Sequence, residues 1–268
     1  MAGSTRPHPL SPSPHTRKGP HPLSPSPRMR RGGTKVNIGS PGVRLFRRRL
    51  LAWFSKHARS LPWRRTRDPY RVLVSEFMLQ QTQVSRVTEY YPRFLKRFSS
   101  VERLAQATPR AVREAWDGLG YYARARNLHQ LAKQVSDAGC GVPDSPEELV
   151  KLPGVGRYTA GAVACFAYEK PVAAVDTNVA RVVRRVWIGE GQMRNAEWGM
   201  RNGKGGSRKI WEIAERLVPK DGKRAWRFNQ GIMELGAVIC VARTPKCGEC
   251  PVRAQCKTGR RRDVRGDA

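Results

Sequence analysis

The sequence has few acidic residues and no long apolar run, and both shortages restrict what the protein can be. Of its 268 residues, 21 are Asp or Glu and 51 are Lys or Arg, so the formal net charge is +30. No stretch approaches the roughly 20 consecutive apolar residues that span a bilayer, which argues against a membrane protein. The N-terminus also lacks the apolar segment of a secretory signal, so we expect a chain that is not exported.

Cysteine and apolar residues are scarce as well. Six cysteines in a chain of this length favour metal or thiol chemistry over a disulfide scaffold. The apolar fraction of 39% is low for a wholly globular chain, which predicts that part of it stays unfolded. The length still allows one or two domains with a sizeable core.

Both tails are basic, but most of the positive charge lies between them. Residues 1–35 carry seven Lys or Arg and no acid, and residues 257–268 carry five against two Asp, so most of the excess lies between them. A folded region this basic attracts polyanions, and we expect nucleic acid as the partner. The alternative is a merely basic protein, such as one associated with the ribosome.

Residues 1–41 are expected to form a disordered basic tail. They hold nine of the 20 prolines, and the segment His8–Pro14 is repeated as His21–Pro27. Proline at this density prevents both helices and sheet ladders. The tail could help to hold DNA by charge, or its composition could reflect a misassigned start site.

From residue 43 onward, the apolar residues recur with helical spacing, which predicts an all-α fold. Start signals support it, such as Thr108-Pro109 and the capping box formed by Ser145 and Glu148. The glycine-rich segment 189–206 is expected to be a loop or an insertion, and residues 257–268 a second basic tail. The predicted helices span about 43–57, 70–83, 86–97, 100–106, 109–117, 121–137, 145–151, 157–168, 177–187, 208–217 and 224–239.

Four cysteines lie close together near the C-terminal end. Cys240, Cys247, Cys250 and Cys256 include one Cys-x-x-Cys pair and can close on a single metal centre. Structural zinc usually takes two such pairs, whereas a [4Fe–4S] cluster accepts four cysteines at unequal spacings, so we favour the cluster and keep zinc as the alternative. A centre with four thiolate ligands has no open position, which indicates a structural role.

Two other segments have the chemistry to hold DNA phosphates. Arg243 and Lys246 lie between the first two cysteines, where a loop held by metal would present fixed cations, although it could also be an ordinary solvated loop. Gly154 and Gly156 lie in a turn between two predicted helices. Such a turn exposes backbone N–H groups to one phosphate and carbonyls to a monovalent cation, K⁺ or Na⁺.

These motifs together resemble the helix-hairpin-helix superfamily of base excision DNA glycosylases. The hairpin is followed by Ala174–Val179, and the cysteine spacing resembles the iron–sulfur branch of the superfamily, which includes endonuclease III and the adenine DNA glycosylases. Within that branch the similarity is to the adenine glycosylase (MutY) type, over about residues 43–256. The segments that carry it are Leu61–Arg64, Val74–Val84, Gly118–Arg124 and Phe228–Gln230.

The resemblance implies two helical domains with a DNA groove between them. A six-helix barrel domain with the hairpin would comprise residues 68–176, and a [4Fe–4S] cluster domain residues 42–67 and 177–256. The implied partner is double-stranded DNA with a mismatched or oxidised base, whose target nucleotide is rotated into a pocket. We expect a monomer without membrane contact, located with the nucleoid in a prokaryotic cytoplasm.

The resemblance also implies the catalytic residues. Glu76 would protonate the departing adenine at N7, and Asp176 would stabilise the sugar oxocarbenium ion, or trap it, before water attacks. From the residues alone, Glu76 could instead be a buried ion-pair partner. Tyr158 stands where bifunctional relatives carry a Schiff-base lysine, so we expect a glycosylase without lyase activity. Tyr158 and Asn178 would orient the two carboxylates.

The remaining site residues are assigned to DNA by the same resemblance. Gln230 would read the adenine edge, since an amide can accept a hydrogen bond from N6 and donate one to N7. Gln81 and the Leu119 loop would fill the vacated base stack, with core packing as the alternative for that loop. In addition to the two hairpin glycines and to Arg243 and Lys246, the resemblance assigns seven residues to DNA contacts. They are Arg64, Gln81, Thr82, Leu119, Gly120, Tyr121 and Gln230.

The sequence departs from the adenine glycosylase type in one respect. Members usually carry a further C-terminal domain that helps to recognise 8-oxoguanine, and this sequence ends soon after Cys256. We therefore expect that domain to be missing and the discrimination of A·oxoG to be affected.

Two alternative functions remain open. A mismatch thymine or uracil glycosylase of the same branch also has tyrosine in place of the lysine, but Gln230 and the segment Leu79–Gln83 argue against it. From another class, the chain could be a non-catalytic iron–sulfur protein that binds DNA or senses redox state.

Overall fold

The computed structural model describes residues 40–189 and 208–264, with side chains up to residue 260. Within these residues the secondary structure is helical and contains no β-strand, which confirms the predicted all-α fold. They belong to one compact unit. The finer division into a barrel domain and a cluster domain stays a prediction. The expected N-terminal tail up to residue 39, and the expected loop from residue 190, lie outside the described residues.

The helices follow the predicted order closely. In the described residues they are α1 (Pro41–His57), α2 (Pro69–Leu79), α3 (Val84–Arg97), α4 (Val101–Ala105), α5 (Pro109–Trp116), α6 (Ala123–Ala138), α7 (Pro146–Leu149), α8 (Arg157–Tyr168), α9 (Thr177–Val183), α10 (Arg208–Leu217), α11 (Gly222–Val238) and α12 (Lys257–Val264). Short 3₁₀ turns lie at Pro62–Arg65, Cys247–Glu249 and Arg253–Gln255, and α9 runs on into a π-helical turn at Arg184–Ile188.

Two helix ends differ from the prediction for local reasons. The first helix begins at Pro41 because the Ser40 hydroxyl accepts a hydrogen bond from the Val43 amide at 3.3 Å and proline fits the first helical position. The helix α2 ends at Leu79 rather than near residue 83, because Gln81 has a φ of +58°, which no right-handed helix contains.

The C-terminal segment differs more. Residues from 257 onward were expected to form a basic tail, but Lys257–Val264 form α12, which packs against the π-helical turn after α9. Thr258 is 5% exposed, and the Gly259 amide donates to the Cys256 sulfur at 3.2 Å. The prediction missed the helix because its first turn is stabilised by contacts with distant segments, while its sequence is almost entirely polar.

The core brings together elements from both halves of the sequence. The first helix packs on α11, α2 packs on α8, and α9 packs on α11. Two glycines permit close approaches that matter for the site: a Cβ at Gly161 would lie 2.3 Å from the Ala173 carbonyl, and one at Gly236 would lie 2.6 Å from the Asn178 Cβ. The segment around Asp176 is therefore held tightly between α8 and α11.

No helix in the described residues has both the length and the apolar character needed to cross a membrane.

Candidate active site

A cavity of about 1060 Å³ opens between the end of α2, the hairpin before α8, the start of α9 and the middle of α11. Its walls bring together most of the residues that the sequence analysis singled out. The ones that line it are Arg64, Glu76, Gln81, Thr82, Gly154, Gly156, Tyr158, Asp176, Asn178 and Gln230.

Glu76 lies in the last turns of α2 and is 4% exposed. Burial raises the pKa of Glu76 to about 7, a hydrogen bond from Tyr158 opposes the rise, and the nearby Asp176 adds to it. The Oε2 atom of Glu76 is buried and has no hydrogen-bond partner among the described residues. Near neutral pH this carboxyl is therefore partly protonated and has one oxygen from which a proton can be donated, as a general acid requires.

Asp176 is the N-cap of α9 and is prepared for the opposite charge state. Its Oδ1 accepts a hydrogen bond from the Val179 amide at 2.7 Å, and its Oδ2 accepts one from Asn178 Nδ2 at 2.8 Å. Burial raises the pKa of Asp176, and these two hydrogen bonds oppose the rise by favouring the anion. Two carboxyl groups thus face one cavity, and the hydrogen bonds that Asp176 accepts favour its anion.

The orientation of Asn178 depends on Arg181, which the sequence analysis missed. Arg181 Nη2 donates to Asn178 Oδ1 at 2.7 Å, so the amide must turn its NH₂ group toward Asp176. The same guanidinium donates to the carbonyls of Cys240 and Gly236, both at 2.7 Å. A chain of hydrogen bonds therefore joins Asp176 to the first cysteine. The spacing of three residues between Asn178 and Arg181 on a helix was the available signal.

Tyr158 lies in the first turn of α8, with its hydroxyl against Glu76. Burial raises the pKa of Tyr158 well above its ordinary value, and the carboxyls of Glu76 and Asp176 add to the rise. The phenol is therefore neutral and donates to Glu76, and it offers no amine that could attack a sugar carbon.

Two arginines are paired with the buried Glu234 on α11, and one of them orients the amide of Gln230 on the same helix. Arg64 Nε donates to Gln230 Oε1 at 2.8 Å, and Arg64 Nη2 donates to Glu234 Oε2 at 2.7 Å. Arg59 Nε donates to the other oxygen of Glu234 at 2.6 Å. Burial acts to raise the pKa of Glu234, but the hydrogen bonds from both arginines outweigh it and leave the pKa below the ordinary value. Because arginine only donates, Gln230 must turn its oxygen to Arg64, which leaves its Nε2 for the cavity.

The sequence analysis missed Arg59 and Glu234. Glu234 follows Gln230 by one helical turn on an apolar face, which was the only signal of a buried ion pair.

The residues assigned to the wedge lie in two loops beside the cavity. Gln81 is exposed with a φ of +58°, and Tyr121 is 60% exposed with a φ of +50°. Leu119 is 5% exposed and packs in the core, as the alternative assignment expected. The Thr82 hydroxyl is buried and without a hydrogen-bond partner in the described part of the chain.

The two hairpin glycines, Gly154 and Gly156, have different surroundings. Gly154 has a φ of +75°, and a Cβ there would lie 2.8 Å from Asn127 and 2.9 Å from Phe77. Gly156 is the N-cap of α8, and no atom of residues 40–189 or 208–264 lies within 4 Å of a Cβ placed on it. Both glycines line the cavity.

The four clustered cysteines surround a common small cavity away from the carboxylates. Cys240, Cys247, Cys250 and Cys256 all carry free thiols and all line it, and Arg185 Nη1 lies 3.5 Å from the Cys240 sulfur. In the described residues, no three His, Cys, Asp or Glu side chains form a group that could hold a single metal ion. The donor set, four sulfurs around one space beside a buried guanidinium, fits an iron–sulfur cluster in which each thiolate binds a different iron.

The two cations of the cysteine loop lie apart from the carboxylates. Arg243 and Lys246 are both exposed and do not line the large cavity.

Comparisons with known proteins agree with this geometry. Residues 74–198 match the HhH-GPD superfamily of base excision DNA repair proteins, and residues 240–256 match the iron–sulfur binding domain of endonuclease III. The chain is 41% identical to an adenine DNA glycosylase of Rattus norvegicus over 230 residues, which cover 82% of this chain and 42% of that protein. It is 40% identical to an adenine DNA glycosylase of Mycobacterium tuberculosis over 247 residues, covering 81% and 75%.

Solved structures give the same picture. A thermostable thymine-DNA glycosylase matches with a TM-score of 0.72 and 32% identity, covering 82% of this chain and 97% of that one. An endonuclease III in a non-covalent complex with DNA matches with a TM-score of 0.65 and 25% identity, covering 83% and 97%. The chain spans less than half the length of the mammalian relatives it matches.

Proposed function

The chain belongs to the adenine DNA glycosylase family within the HhH-GPD superfamily, and from that premise we propose that it removes mispaired adenine from double-stranded DNA by hydrolysing the N-glycosidic bond. One observation carries the proposal: Glu76, with a pKa of about 7, and Asp176, which accepts two hydrogen bonds that favour its anion, line the same cavity. Cleavage of this bond needs a proton on the leaving base and a negative charge beside the sugar.

The proposed reaction divides between the two carboxyl groups. Glu76 gives its proton to N7 of the adenine, and the bonding electrons leave with the base as the C1′–N9 bond breaks. Asp176 then faces the positive charge that develops on the sugar and stabilises it. Water adds to C1′ and loses a proton, which leaves an abasic site. Proton donation by a positioned side chain contributes about 10²- to 10⁴-fold to such rates.

Tyr158 and Asn178 hold the carboxyl groups in these states. The tyrosine donates to Glu76 and the asparagine donates to Asp176. Since neither side chain is an amine, no Schiff base forms and the DNA strand is not cut. Borohydride treatment during turnover should therefore trap no adduct, whereas efficient trapping with strand cleavage would contradict the assignment.

The amide of Gln230 supports recognition of the base. With its oxygen turned to Arg64, its Nε2 donates to an adenine ring nitrogen that Glu76 does not use, while the second lone pair of the oxygen faces the N6 amino group. This edge distinguishes adenine from thymine.

An iron–sulfur domain lies at residues 240–256. We assign it a [4Fe–4S] cluster bound by Cys240, Cys247, Cys250 and Cys256. When bound, the cluster would hold the loop between Cys240 and Cys247 in place. That loop presents Arg243 and Lys246 to a DNA phosphate, and the hairpin glycines hold a second phosphate together with a K⁺ or Na⁺ ion. The protein would act as a monomer beside the nucleoid.

A second candidate function is excision of thymine or uracil opposite guanine. It is favoured by the 32% identity with a solved thymine-DNA glycosylase. A panel of duplexes with A·oxoG, A·G, T·G or U·G separates the two. We expect base release from the adenine duplexes and an abasic product that breaks only on alkali. Release from T·G or U·G alone would overturn the adenine assignment and support the second candidate.

A further inference from the structure

Arg124, near the start of α6, is a buried arginine, and within the described residues its guanidinium donates to backbone carbonyls and not to a carboxylate. It is 7% exposed. Its Nη1 atom donates to the carbonyls of Phe77 at 3.1 Å and Met78 at 2.8 Å, and also to the carbonyl of Gln80. These carbonyls lie at the end of α2, where the helix supplies no donors of its own. The guanidinium therefore caps the helix that carries Glu76.

The other end of the guanidinium binds a second loop. Its Nη2 atom donates to the carbonyls of Leu119 and Gly120, both at 3.1 Å. The indole of Trp116 also donates to the Gly120 carbonyl at 3.2 Å, and the guanidinium carbon lies 5.5 Å from the centre of that indole. One side chain thus joins two loops that are about forty residues apart in sequence.

The residues that follow these carbonyls have unusual backbone conformations. Gln81, directly after Gln80, has a φ of +58°, and Tyr121, directly after Gly120, has a φ of +50°. Residues other than glycine rarely adopt a positive φ, and they keep it only where neighbouring contacts enforce it. Both side chains are exposed, and the Tyr121 ring lies 5.2 Å from the Arg124 guanidinium.

We propose that Arg124 is a positioning residue that fixes Gln81 and Tyr121 as one rigid wedge for extrusion of the target base. The proposal rests on the proposed function, because only an enzyme that rotates a nucleotide out of the duplex needs a wedge. If the side chains of Gln81 and Tyr121 are held at a constant separation, they can enter the base stack together. Side chains that move independently lose that preorganisation. Loss of Arg124 should therefore slow base extrusion more than the chemistry on an extruded base.

The test compares Arg124→Lys with Arg126→Lys in the full chain carrying its cluster. Lysine keeps the charge but cannot span five carbonyls, and Arg126 is an exposed residue on the same helix that gives a matched control. Stopped-flow fluorescence of 2-aminopurine next to the target adenine reports unstacking, and quenched samples report base release. We expect unstacking to slow about tenfold or more in Arg124→Lys, with release delayed to match, and no change in Arg126→Lys. Equal unstacking rates in the two variants would overturn the proposal.

Amide hydrogen exchange keeps the proposal testable if Arg124→Lys is less stable. We expect faster exchange in both residues 79–82 and 118–122, with the rest of α2 and α6 unchanged. Faster exchange throughout the core, or in one loop alone, would make Arg124 a purely structural residue and contradict the proposal. Failure of the proposed function would be seen elsewhere, since the unsubstituted protein would then release no adenine from the A·oxoG or A·G duplex.

Discussion

At the scale of single residues, two carboxyl groups acquire different chemistry from their surroundings. Glu76 is buried and receives one hydrogen bond from a phenol, and burial raises its pKa to about 7, so it keeps its proton up to near neutral pH. Asp176 caps a helix and receives a backbone amide and a side-chain amide, both of which favour its charge. An acid and an anion can therefore act on the same bond at one pH.

The first prediction concerns the pH dependence of single-turnover excision. With a pKa of about 7, Glu76 is protonated below that pH and loses its proton above it. The rate should therefore fall about tenfold per pH unit above pH 7, because only the protonated form can act as the acid. Burial also favours the neutral form, so the contribution of Glu76 to stability is present at low pH and is lost as pH rises toward 7. A rate that is constant from pH 6 to 9 would contradict this role.

A second prediction isolates Tyr158. Its hydrogen bond lowers the pKa of Glu76 against the effect of burial, so Tyr158→Phe should move the alkaline limb of the same pH profile upward. The ring is kept, which separates loss of the hydroxyl from loss of packing. The matched control is Tyr122→Phe, because Tyr122 is exposed and bonded to Asp117 instead. An unchanged limb in Tyr158→Phe would show that the phenol does not act on Glu76.

At the scale of elements, much of the helical order was predictable and several ends were not. The bounds of α10 and α8 follow from apolar spacing, and both agree with the prediction. The end of α2 at Leu79 depends on a carbonyl cap by Arg124, a residue more than forty positions away. The helix α12 likewise packs against the π-helical turn Arg184–Ile188, a segment distant in sequence. The spacing of apolar residues shows which face of a helix is buried. It does not show which distant residue forms hydrogen bonds with the free backbone groups at the helix end.

The candidate site shows the same limit. Glu76, Asp176 and Gln230 were found through motifs, whereas Arg181 and Glu234 were not. Arg181 binds the carbonyls of Gly236 and Cys240, which are more than fifty positions away, and Glu234 is paired with arginines about 170 positions away. The helical spacings of Arg181 from Asn178 and of Glu234 from Gln230 are local signals, but neither spacing identifies these distant partners.

The third prediction follows from the hydrogen-bond chain on α9. Arg181→Lys keeps the charge but cannot donate at once to Asn178, Cys240 and Gly236, so Asp176 loses its fixed amide donor. We expect about 10- to 100-fold slower excision, the usual cost of losing a supporting hydrogen bond.

The control for this variant is Arg224→Lys, an exposed position on α11. Cluster absorbance and DNA affinity should be unchanged in both variants. Wild-type rates in Arg181→Lys, or a loss that is matched by loss of the cluster, would contradict a positioning role for Arg181.

At the scale of the whole molecule, charge sets the strength of DNA binding. The net charge of +30 is spread over folded and terminal segments, and cations that replace counterions on DNA make binding depend on salt. The fourth prediction is a linear fall of the logarithm of the association constant with the logarithm of salt concentration. Arg243→Ala should reduce the slope by about one, because one phosphate contact is lost, while leaving the preference among base pairs unchanged. An unaltered slope would remove Arg243 from the DNA contact.

The central claim is that Glu76 and Asp176 act on opposite sides of one nucleotide bond, and single-turnover excision tests it most directly. The full protein with its cluster is mixed in excess with an A·oxoG duplex, alongside Glu76→Gln and Asp176→Asn, which keep the side-chain shapes. We predict release of adenine by the unsubstituted protein and a loss of at least about 10²-fold in each variant with DNA binding retained. Adenine release at the unsubstituted rate in either variant would contradict the account.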